Sequence, residues 1–446
     1  MIPVLINFLL TAREISVITC TQNISNFTTE ESQTTIDLAS NYNTTCLEYT
    51  NIFIPNNVTC PPLNETDPYA NDPPRDSRLI SRSIKPYNGE PPSNLLLEKF
   101  YTPNEIFYVR NNLPVPCVHV GNYSLEVGGI NLTTVQLTLR QLTTLFSPTT
   151  ISAVLQCAGN RRSEMNRVKP VSGTKWTGGA IGNANWTGTN LRDILALAGF
   201  QRGNYSPDVL NTLHIQLTGL DQDPKTGTYY GASIPVSYIL DDNFTPLVAY
   251  AMNGKSLTPD HGFPVRAILP GIVGARNVKW LQKITLATQE AQTIYQLEKY
   301  KAFSPSITSA TVTQEDYNNT DPIMDLPVTS YLASHTDGQI VENGTILVEG
   351  YAYSGTGRHI QRVELSQDLG SNWILAEVTE RTSKKLRRNW SWVFWKRNVS
   401  LSVGRNEIWV KAVDSGYNQQ PQEIKDVWNF DGYLNVAYHK VVLNAS

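Results

Sequence analysis

The sequence has no excess of positive charge, no long apolar run and no histidine before residue 119, and each of these shortages argues against one class of protein. The formal net charge is −3, so bulk charge gives no reason to expect nucleic acid as a partner. No stretch approaches the ~20 apolar residues of a membrane-crossing helix, and we predict no membrane span. The first histidine is His119, so the segment before it lacks the two axial histidines of a haem-binding cytochrome domain. We therefore expect no haem.

The N-terminal part of the chain has features of a secreted or lumenal glycoprotein. The apolar run from Ile2 to Ala12 has the length of a signal-peptide core, although no Lys or Arg precedes it, so residues 1–20 are a possible signal segment. Residues 21–77 are rich in Asn, Thr, Ser and Pro, which predicts a disordered, glycosylated leader. The alternative to a glycoprotein is a compositional bias towards Asn and Thr, which would also raise the number of Asn-x-Ser/Thr sequons. Fifteen Asn-x-Ser/Thr sequons exceed the roughly six that composition predicts, and they lie at Asn23, Asn26, Asn43, Asn57, Asn64, Asn122, Asn131, Asn185, Asn204, Asn243, Asn318, Asn343, Asn389, Asn398 and Asn444.

The five cysteines are Cys20, Cys46, Cys60, Cys117 and Cys157. If Cys157 binds a metal, four remain, an even number that is compatible with disulfides in an oxidising compartment. A bond between Cys46 and Cys60 is the easiest pairing to imagine, but spacing alone does not establish it.

Cys157 lies in a stretch that places one thiol close to two guanidinium groups, those of Arg161 and Arg162. A thiolate is a soft metal ligand, and an Arg fork binds oxyanions through two N–H groups. This combination indicates a metal beside an anion. The alternative is an inert buried Cys followed by two solvated arginines.

Several motifs occur in order along the chain, and together they resemble the sulfite oxidase family of molybdenum-cofactor enzymes over roughly residues 78–440. One such motif would be weak support, whereas the complete ordered set is strong. The motifs cover residues 107–116, 155–165, 219–221, 230–235, 260–266, 270–271, 278–280 and 300–305.

Periodicity predicts two folded parts. Residues 78–304 mix alternating segments such as Tyr123–Val127 with a helical segment at Leu191–Ala198, which predicts an α+β domain. By resemblance this domain binds the molybdenum cofactor. Residues 305–446 contain short strands separated by Gly- and Asn-bearing turns, which predicts an immunoglobulin-like sandwich. By resemblance that sandwich forms a homodimer contact.

The resemblance also implies roles for individual residues. Cys157 is implied as the metal ligand of a molybdenum–molybdopterin cofactor, Arg110 and Arg162 as anion-binding arginines, Trp176 as an indole donor, and Tyr300 as the phenol beside the oxo ligand. The implied catalytic residues are Cys157, Tyr300, Arg110, Arg162 and Trp176. The implied cofactor-binding residues are Tyr108, Val109, Arg110, Asn111, Asn112, Cys157, Asp221, His261, Arg266, Asn277, Val278 and Lys279.

The expected reaction is oxidation of sulfite, or of a related small substrate, to sulfate by oxygen-atom transfer, with electrons passed to an external acceptor. The alternatives are a reductase of a different oxo substrate and a secreted, non-catalytic binding glycoprotein on the same scaffold. The mitochondrial intermembrane space is the alternative location.

Three positions depart from the family pattern. Asn112 stands where sulfite oxidases usually have His, and Lys299 where an Asp usually precedes the tyrosine. Asp431 stands where an Arg usually reaches into the anion pocket, which changes the local charge by two units. Either Asp431 points elsewhere or pairs with Lys299, or the natural substrate is less anionic.

Overall fold

The computed structural model describes residues 60, 61, 64, 66–379 and 388–446. These residues belong to a compact unit that spans residues 35–446. The possible signal segment, most of the predicted leader, Cys20 and Cys46 lie outside the described residues. Within the described ranges, no helix has both the length and the apolar character needed to cross a membrane.

The described elements are mostly strands. In chain order the strands are β1 (Ile80–Ile84), β2 (Tyr87–Glu90), β3 (Val109–Arg110), β4 (Ser124–Gly129), β5 (Val135–Thr138), β6 (Thr149–Gln156), β7 (Ile181–Asn190), β8 (His214–Gln222), β9 (Tyr229–Pro235), β10 (Leu247–Met252), β11 (Lys255–Ser256), β12 (Arg266–Ile268), β13 (Leu281–Ala287), β14 (Thr329–Leu332), β15 (Gln339–Val341), β16 (Gly344–Tyr353), β17 (Ile360–Ser366), β18 (Ile374–Leu375), β19 (Glu377–Thr379), β20 (Val393–Leu401), β21 (Gly404–Asp414) and β22 (His439–Ala445). The helices are α1 (Leu139–Thr144), α2 (Arg162–Val168), α3 (Leu191–Leu197), α4 (Pro207–Thr212), α5 (Val236–Leu240), α6 (Ile294–Leu297) and α7 (Gln314–Asn319).

Three sheets and short helices form the first part of the fold. One sheet has the order β5-β4-β13-β8-β9, and a second has the order β11-β10-β7-β6 with β12 also paired to β10. The small sheet β1-β2-β3 places Arg110 opposite Asn88. In β8, buried side chains alternate with partly exposed ones, because successive residues of a strand point to opposite faces. This mixture confirms the predicted α+β class.

The predicted helix at Leu191–Ala198 is confirmed as α3. The side chain of Asn190 accepts a hydrogen bond from the N–H of Arg192, which satisfies one free donor of the first turn. The helix ends before Gly199, whose φ of +95° is a conformation that glycine adopts without steric cost.

Two sheets form the C-terminal β-sandwich, as predicted. Their strand orders are β14-β16-β20-β19 and β15-β22-β21-β17-β18. Trp392 and Trp395 are fully buried, so these aromatics belong to the core and not to an exposed contact. The immunoglobulin-like assignment of this sandwich stays a prediction.

The segment after Cys157 is bonded to the C-terminal part of the chain. The side-chain amide of Asn160 donates to the Tyr351 hydroxyl over 3.2 Å. The guanidinium of Arg161 donates to the carbonyl of Ala437 over 2.7 Å and pairs with Glu164. The alternative of two solvated arginines is therefore wrong for Arg161, which is fully buried. The sandwich thus helps to hold the loop that carries the thiol.

The disulfide differs from the pairing that was easiest to imagine. Cys60 is bonded to Cys117, with 5.6 Å between their Cα atoms. A bond between Cys46 and Cys60 is therefore wrong. The reason is tertiary: the segment after Cys60 passes over the loop that contains Cys117, as the hydrogen bond from the Val115 N–H to the Asp72 carboxylate shows.

Candidate active site

Cys157 directly follows strand β6 and is the free cysteine of the described residues. Its backbone N–H donates to the carbonyl of Ala180 over 3.0 Å, which continues the pairing of β6 with β7. The thiol is 5% exposed, and the N–H of Gly159 points at its Sγ from 3.4 Å. This contact fixes the sulfur at the end of β6, where a thiolate would be available to bind a metal.

The thiol opens into a cleft. This cleft brings together most of the residues that the sequence implied for cofactor and substrate. They are Tyr108, Arg110, Asn111, Asn112, Cys157, Asp221, His261, Arg266, Asn277, Val278, Lys279 and Tyr300. Val109, Arg162 and Trp176 are not among the lining residues.

One wall of the cleft is formed by the end of β3 and the loop after it, and amides of this wall and of β2 hold Arg110 in place. Its guanidinium donates to Asn88 Oδ1 over 3.1 Å and to Asn112 Oδ1 over 2.6 Å, and it also donates to the carbonyl of Asn111. Asn112 in turn donates from Nδ2 to the Tyr300 hydroxyl over 3.1 Å. Asn112 therefore joins the predicted arginine to the predicted phenol.

The opposite wall, which we call the cofactor side, carries the implied cofactor-binding residues Asp221, His261, Arg266 and Lys279. Arg266 donates to the carbonyls of His261 and Asn277, each over 3.1 Å, whereas its Nε has no hydrogen-bond partner in the described structure. Oδ1 of the buried Asp221 also lacks one. Buried polar groups are normally paired, so this side has donors and an acceptor free for a polar ligand.

Burial controls the ionisation of the cofactor side. Desolvation lowers the pKa of Arg266 to about 10 and that of His261 to about 4. Desolvation also lowers the pKa of Lys279 and raises that of Asp221, and the opposite charges of these two groups partly offset it. Because Nε2 of His261 lies 2.9 Å from the carbonyl of Asn104, the neutral ring carries its proton on Nε2. A bound anion would favour the charged forms of Arg266 and Lys279.

The amide of Asn277 braces its own loop. It accepts from the N–H of Leu269 over 2.6 Å and donates to the carbonyls of Ile272 and Val273. The adjacent Val278 is buried and pairs through its carbonyl with the N–H of Ala267. Asn277 and Val278 therefore hold the backbone of this part of the cleft in place.

The other end of the site, which we call the substrate side, contains Arg162, Trp176 and Tyr433. The guanidinium of Arg162 donates to the carbonyls of Gly432 and Thr174 and lies 5.0 Å from the centre of the Tyr433 ring. Tyr433 in turn packs against Tyr300, with 5.4 Å between ring centres. The indole of Trp176 is fully buried, and its N–H has no partner among the described residues.

Asp431 does not pair with Lys299. Its carboxylate accepts a hydrogen bond of 2.5 Å from the Ser172 hydroxyl, whereas Lys299 is exposed. Among the ion pairs of the described residues, none joins the two. Of the alternatives left open by the sequence, the pairing with Lys299 is wrong, and Asp431 is directed at Ser172.

The comparisons with known proteins identify the family. The model of the oxidoreductase molybdopterin binding domain matches residues 112–295, and that of the Mo-co oxidoreductase dimerisation domain matches residues 320–446. A sulfite oxidase from Gallus gallus is 44% identical over 375 residues, which cover 84% of this chain and 80% of that protein. The chain belongs to the sulfite oxidase family.

One further relative agrees with this assignment, and one solved structure agrees with the fold. A sulfite oxidase from Arabidopsis thaliana is 37% identical over 391 residues, which cover 86% of this chain and 98% of that protein. The solved structure of the sulfane dehydrogenase SoxCD from Paracoccus pantotrophus matches with a TM-score of 0.66 and 22% identity. That match covers 84% of this chain and 90% of the other, and it supports the fold alone.

The family match confirms the predicted resemblance and the prediction of a molybdenum-dependent oxidoreductase. It also favours an enzyme over the alternative of a non-catalytic binding glycoprotein. The dimerisation domain supports the predicted homodimer.

The residues of the cleft fit a molybdopterin cofactor. A phosphate-bearing pterin requires cationic donors and buried polar groups from several loops, and Arg266, Lys279 and Asp221 supply them from three different segments. The free thiol of Cys157 supplies a soft ligand at the same cleft.

Several residues of the site were missed by sequence reasoning. Asp260, Tyr230 and Trp280 line the cleft, Tyr433 packs on Tyr300, and Arg75 pairs with Asp260. Asp260 belongs to a motif that was noticed, so its carboxylate was a usable signal. Arg75 gave none, because it lies in the stretch assigned to the leader. Residues 66–77 are described and make defined contacts such as that of Arg75, whereas the sequence predicted a disordered leader over residues 21–77.

Proposed function

We propose that this enzyme oxidises sulfite, or a closely related small sulfur oxyanion, to sulfate, and passes the electrons to an external acceptor. For sulfite, one water is consumed and two protons and two electrons are released for each sulfate formed. The observation that carries the proposal is the placement of Cys157, Arg110 and Tyr300 on one cleft.

The proposed mechanism assigns the redox step to the cofactor and the positioning to the protein. When bound, the molybdenum cofactor supplies oxygen-atom transfer and two-electron redox chemistry. Arg110 makes three hydrogen bonds to amide oxygens, one in β2 and two in the loop that follows β3. A guanidinium has five N–H groups, so Arg110 retains donors for an oxyanion in the cleft.

Tyr300 is set to donate a proton in a hydrogen bond. Its hydroxyl oxygen accepts from Asn112 Nδ2 over 3.1 Å, and its O–H makes a longer contact of 3.4 Å with Asn112 Oδ1, which a substrate oxygen in the cleft would replace. Its backbone adopts a positive φ of +58°, a conformation that non-glycine residues rarely take. The fold thus accepts a strained residue in order to direct this ring into the cleft.

The buried indole N–H of Trp176 is a further donor for the substrate side. An unpaired buried N–H costs free energy unless a ligand accepts from it. We assign it, together with Arg162, to the binding of the oxyanion.

The test is molybdenum by elemental analysis on the purified protein, followed by sulfite-dependent bleaching of its optical bands. The expected result is close to one molybdenum per chain with bleaching at stoichiometric sulfite. Metal without bleaching would contradict sulfite as the substrate. A second assay with a sulfoxide and a reductant then examines the reductase alternative.

We also propose a secreted or lumenal location. The Cys60–Cys117 disulfide and the exposed sequons, among them Asn122, Asn204 and Asn343, support it. Asn389 is buried, so a glycan at that sequon would conflict with the fold. The mass of the native protein before and after removal of N-glycans tests this location, and an unchanged mass would contradict it.

A further inference from the structure

The segment of residues 66–78, which we call the strap, reaches the cofactor side through one arginine. Arg75 pairs with both carboxylate oxygens of Asp260, at 2.8 and 2.9 Å, and also with Asp72 at 2.9 Å. Its side chain is 14% exposed. The guanidinium lies 4.3 Å from the centre of the Tyr87 ring, which packs it from the other side.

Asp260 in turn organises two residues of the cleft. Its Oδ1 accepts from Asn111 Nδ2 over 3.0 Å, and its backbone carbonyl accepts from Lys279 Nζ over 2.8 Å. Lys279 Nζ also donates to Asn111 Oδ1. Asn111 and Lys279 therefore form a pair whose two members are both oriented by Asp260.

The charge balance explains why an arginine is needed at this point. The carboxylate of Asp260 is 9% exposed, and the amino group of Lys279 donates to the backbone carbonyl of the same residue. Arg75 engages both carboxylate oxygens, so their charge is compensated from the strap side. Without Arg75, the attraction between this carboxylate and Lys279 would be unopposed, and a turn of Lys279 towards the carboxylate would withdraw it from Asn111.

Two contacts anchor the part of the chain that precedes Arg75. Asp72 accepts from the N–H of Val115 over 3.1 Å while it binds Arg75, and Cys60 is bonded to Cys117 in the same loop. Arg75 is therefore held in place relative to the loop that carries Asn111.

We propose that Arg75 is a positioning residue for the molybdenum cofactor: through Asp260 it holds Asn111 and Lys279 in the orientation that binds the pterin. The substrate does not enter this inference, because cofactor retention is measured without turnover. A failure of the proposed role of Arg75 can thus be distinguished from a failure of the proposed sulfite oxidation.

The experiment compares cofactor release from the full-length wild-type protein and three arginine variants. Arg75→Gln removes the charge, and Arg75→Lys keeps it without the bidentate contact. Arg78→Gln is the matched control, because Arg78 lies on the same strap, is 51% exposed and pairs only with the nearby Asp76 among the described residues. Molybdenum retained after timed incubation and gel filtration is measured by elemental analysis. The thermal midpoint of the cofactor-free protein is measured in parallel.

The expected result is a release rate roughly 10-fold faster in Arg75→Gln, a rate between this and wild type in Arg75→Lys, and a wild-type rate in Arg78→Gln. The thermal midpoint of cofactor-free Arg75→Gln should stay close to that of Arg78→Gln. Equal release from Arg75→Gln and Arg78→Gln would overturn the proposal. So would a fall in thermal midpoint that fully accounts for the faster release.

A second variant tests the route through Asp260 and serves if Arg75→Gln does not fold. Asp260→Asn keeps an acceptor for Asn111 but loses the ion pair, so it should also accelerate release. If Arg75 acts through Asp260, the double variant releases cofactor no faster than Asp260→Asn alone. Additive effects, or wild-type retention by Asp260→Asn, would overturn the proposal.

Discussion

The two sides of the cleft relate differently to the family pattern. On the cofactor side, Arg266, Lys279 and Asp221 stand at the implied positions, and the buried Arg266 and Asp221 each leave one polar atom free for a ligand. On the substrate side, an acid replaces the usual arginine at position 431, and two contacts of Arg162 go to backbone carbonyls. The residues implied for the cofactor are thus retained in this chain, whereas the charge at one position implied for the substrate differs from the family pattern.

Asp431 weakens the positive field less than the change of sequence suggests. Two unit charges about 4 Å apart interact by about 4 kcal/mol at an effective dielectric constant near 20, but Asp431 is half-exposed and its carboxylate is engaged by Ser172. The site therefore keeps two arginines, Arg110 in the cleft and Arg162 on the substrate side, with one acid at its edge. This arrangement predicts weaker binding of sulfite and not its exclusion.

The largest expected effect on activity comes from a substitution of Cys157, because the cofactor side and the substrate side both depend on the metal that it is expected to bind. Cys157→Ser removes the soft ligand, because a hydroxyl is a far poorer metal ligand than a thiolate. We expect kcat for sulfite to fall more than about 100-fold, while the thermal midpoint changes little. Steady-state assays and thermal unfolding check this. Activity within a few-fold of wild type would show that Cys157 does not bind the metal.

Arg110→Gln tests whether Arg110 belongs to the substrate side or the cofactor side. Loss of a charged donor to a buried oxyanion should lower kcat/KM roughly 30-fold or more, with molybdenum content unchanged. Arg202→Gln, at an exposed position, is the control. If molybdenum content falls with activity, Arg110 belongs to the cofactor side and the comparison must be redrawn.

Asp431→Arg should sharpen the contrast between the two sides by restoring the charge of the usual arginine. We expect KM for sulfite to decrease about 10-fold, which corresponds to about 1.4 kcal/mol. The neutral Asp431→Asn should give a smaller decrease. Added salt should reduce both effects, because ions screen charges near the surface. The control is Asp208→Arg on the exposed face of α4. An unchanged KM in Asp431→Arg would mean that position 431 does not influence the anion.

The smallest expected effect concerns stability outside the cleft. Burial lowers the pKa of His439 from 6.5 to about 3. The unfolded chain therefore takes up a proton near pH 6.5 that the folded chain refuses, and stability is lost as the pH falls from 6.5 towards 3.

His439→Asn should reduce this dependence on pH by more than about 1 kcal/mol between pH 6.5 and pH 4. Denaturant unfolding at several pH values provides the measurement, with the exposed His119→Asn as the control. If the free energy of unfolding varied with pH equally in wild type and His439→Asn, His439 would bind its proton as readily in the folded protein as in the unfolded chain.

Most of the fold followed from local patterns. Alternation in β8, the capped helix α3 and the strands of the sandwich were recognisable because each is determined by residues near one another in the chain. The residues around Cys157 were likewise recognisable, because metal and anion chemistry restricts which residue types can stand there.

The sequence by itself determined the family, the α+β class with its β-sandwich, and most of the residues around the cleft. Only the tertiary structure decided that Cys60 pairs with Cys117, that Asp431 is directed at Ser172, and that Arg75 reaches Asp260. The last contact joins residues 185 positions apart in the chain. The physical reason is the same in each case: such contacts depend on how distant segments pack, and neither periodicity nor spacing encodes that.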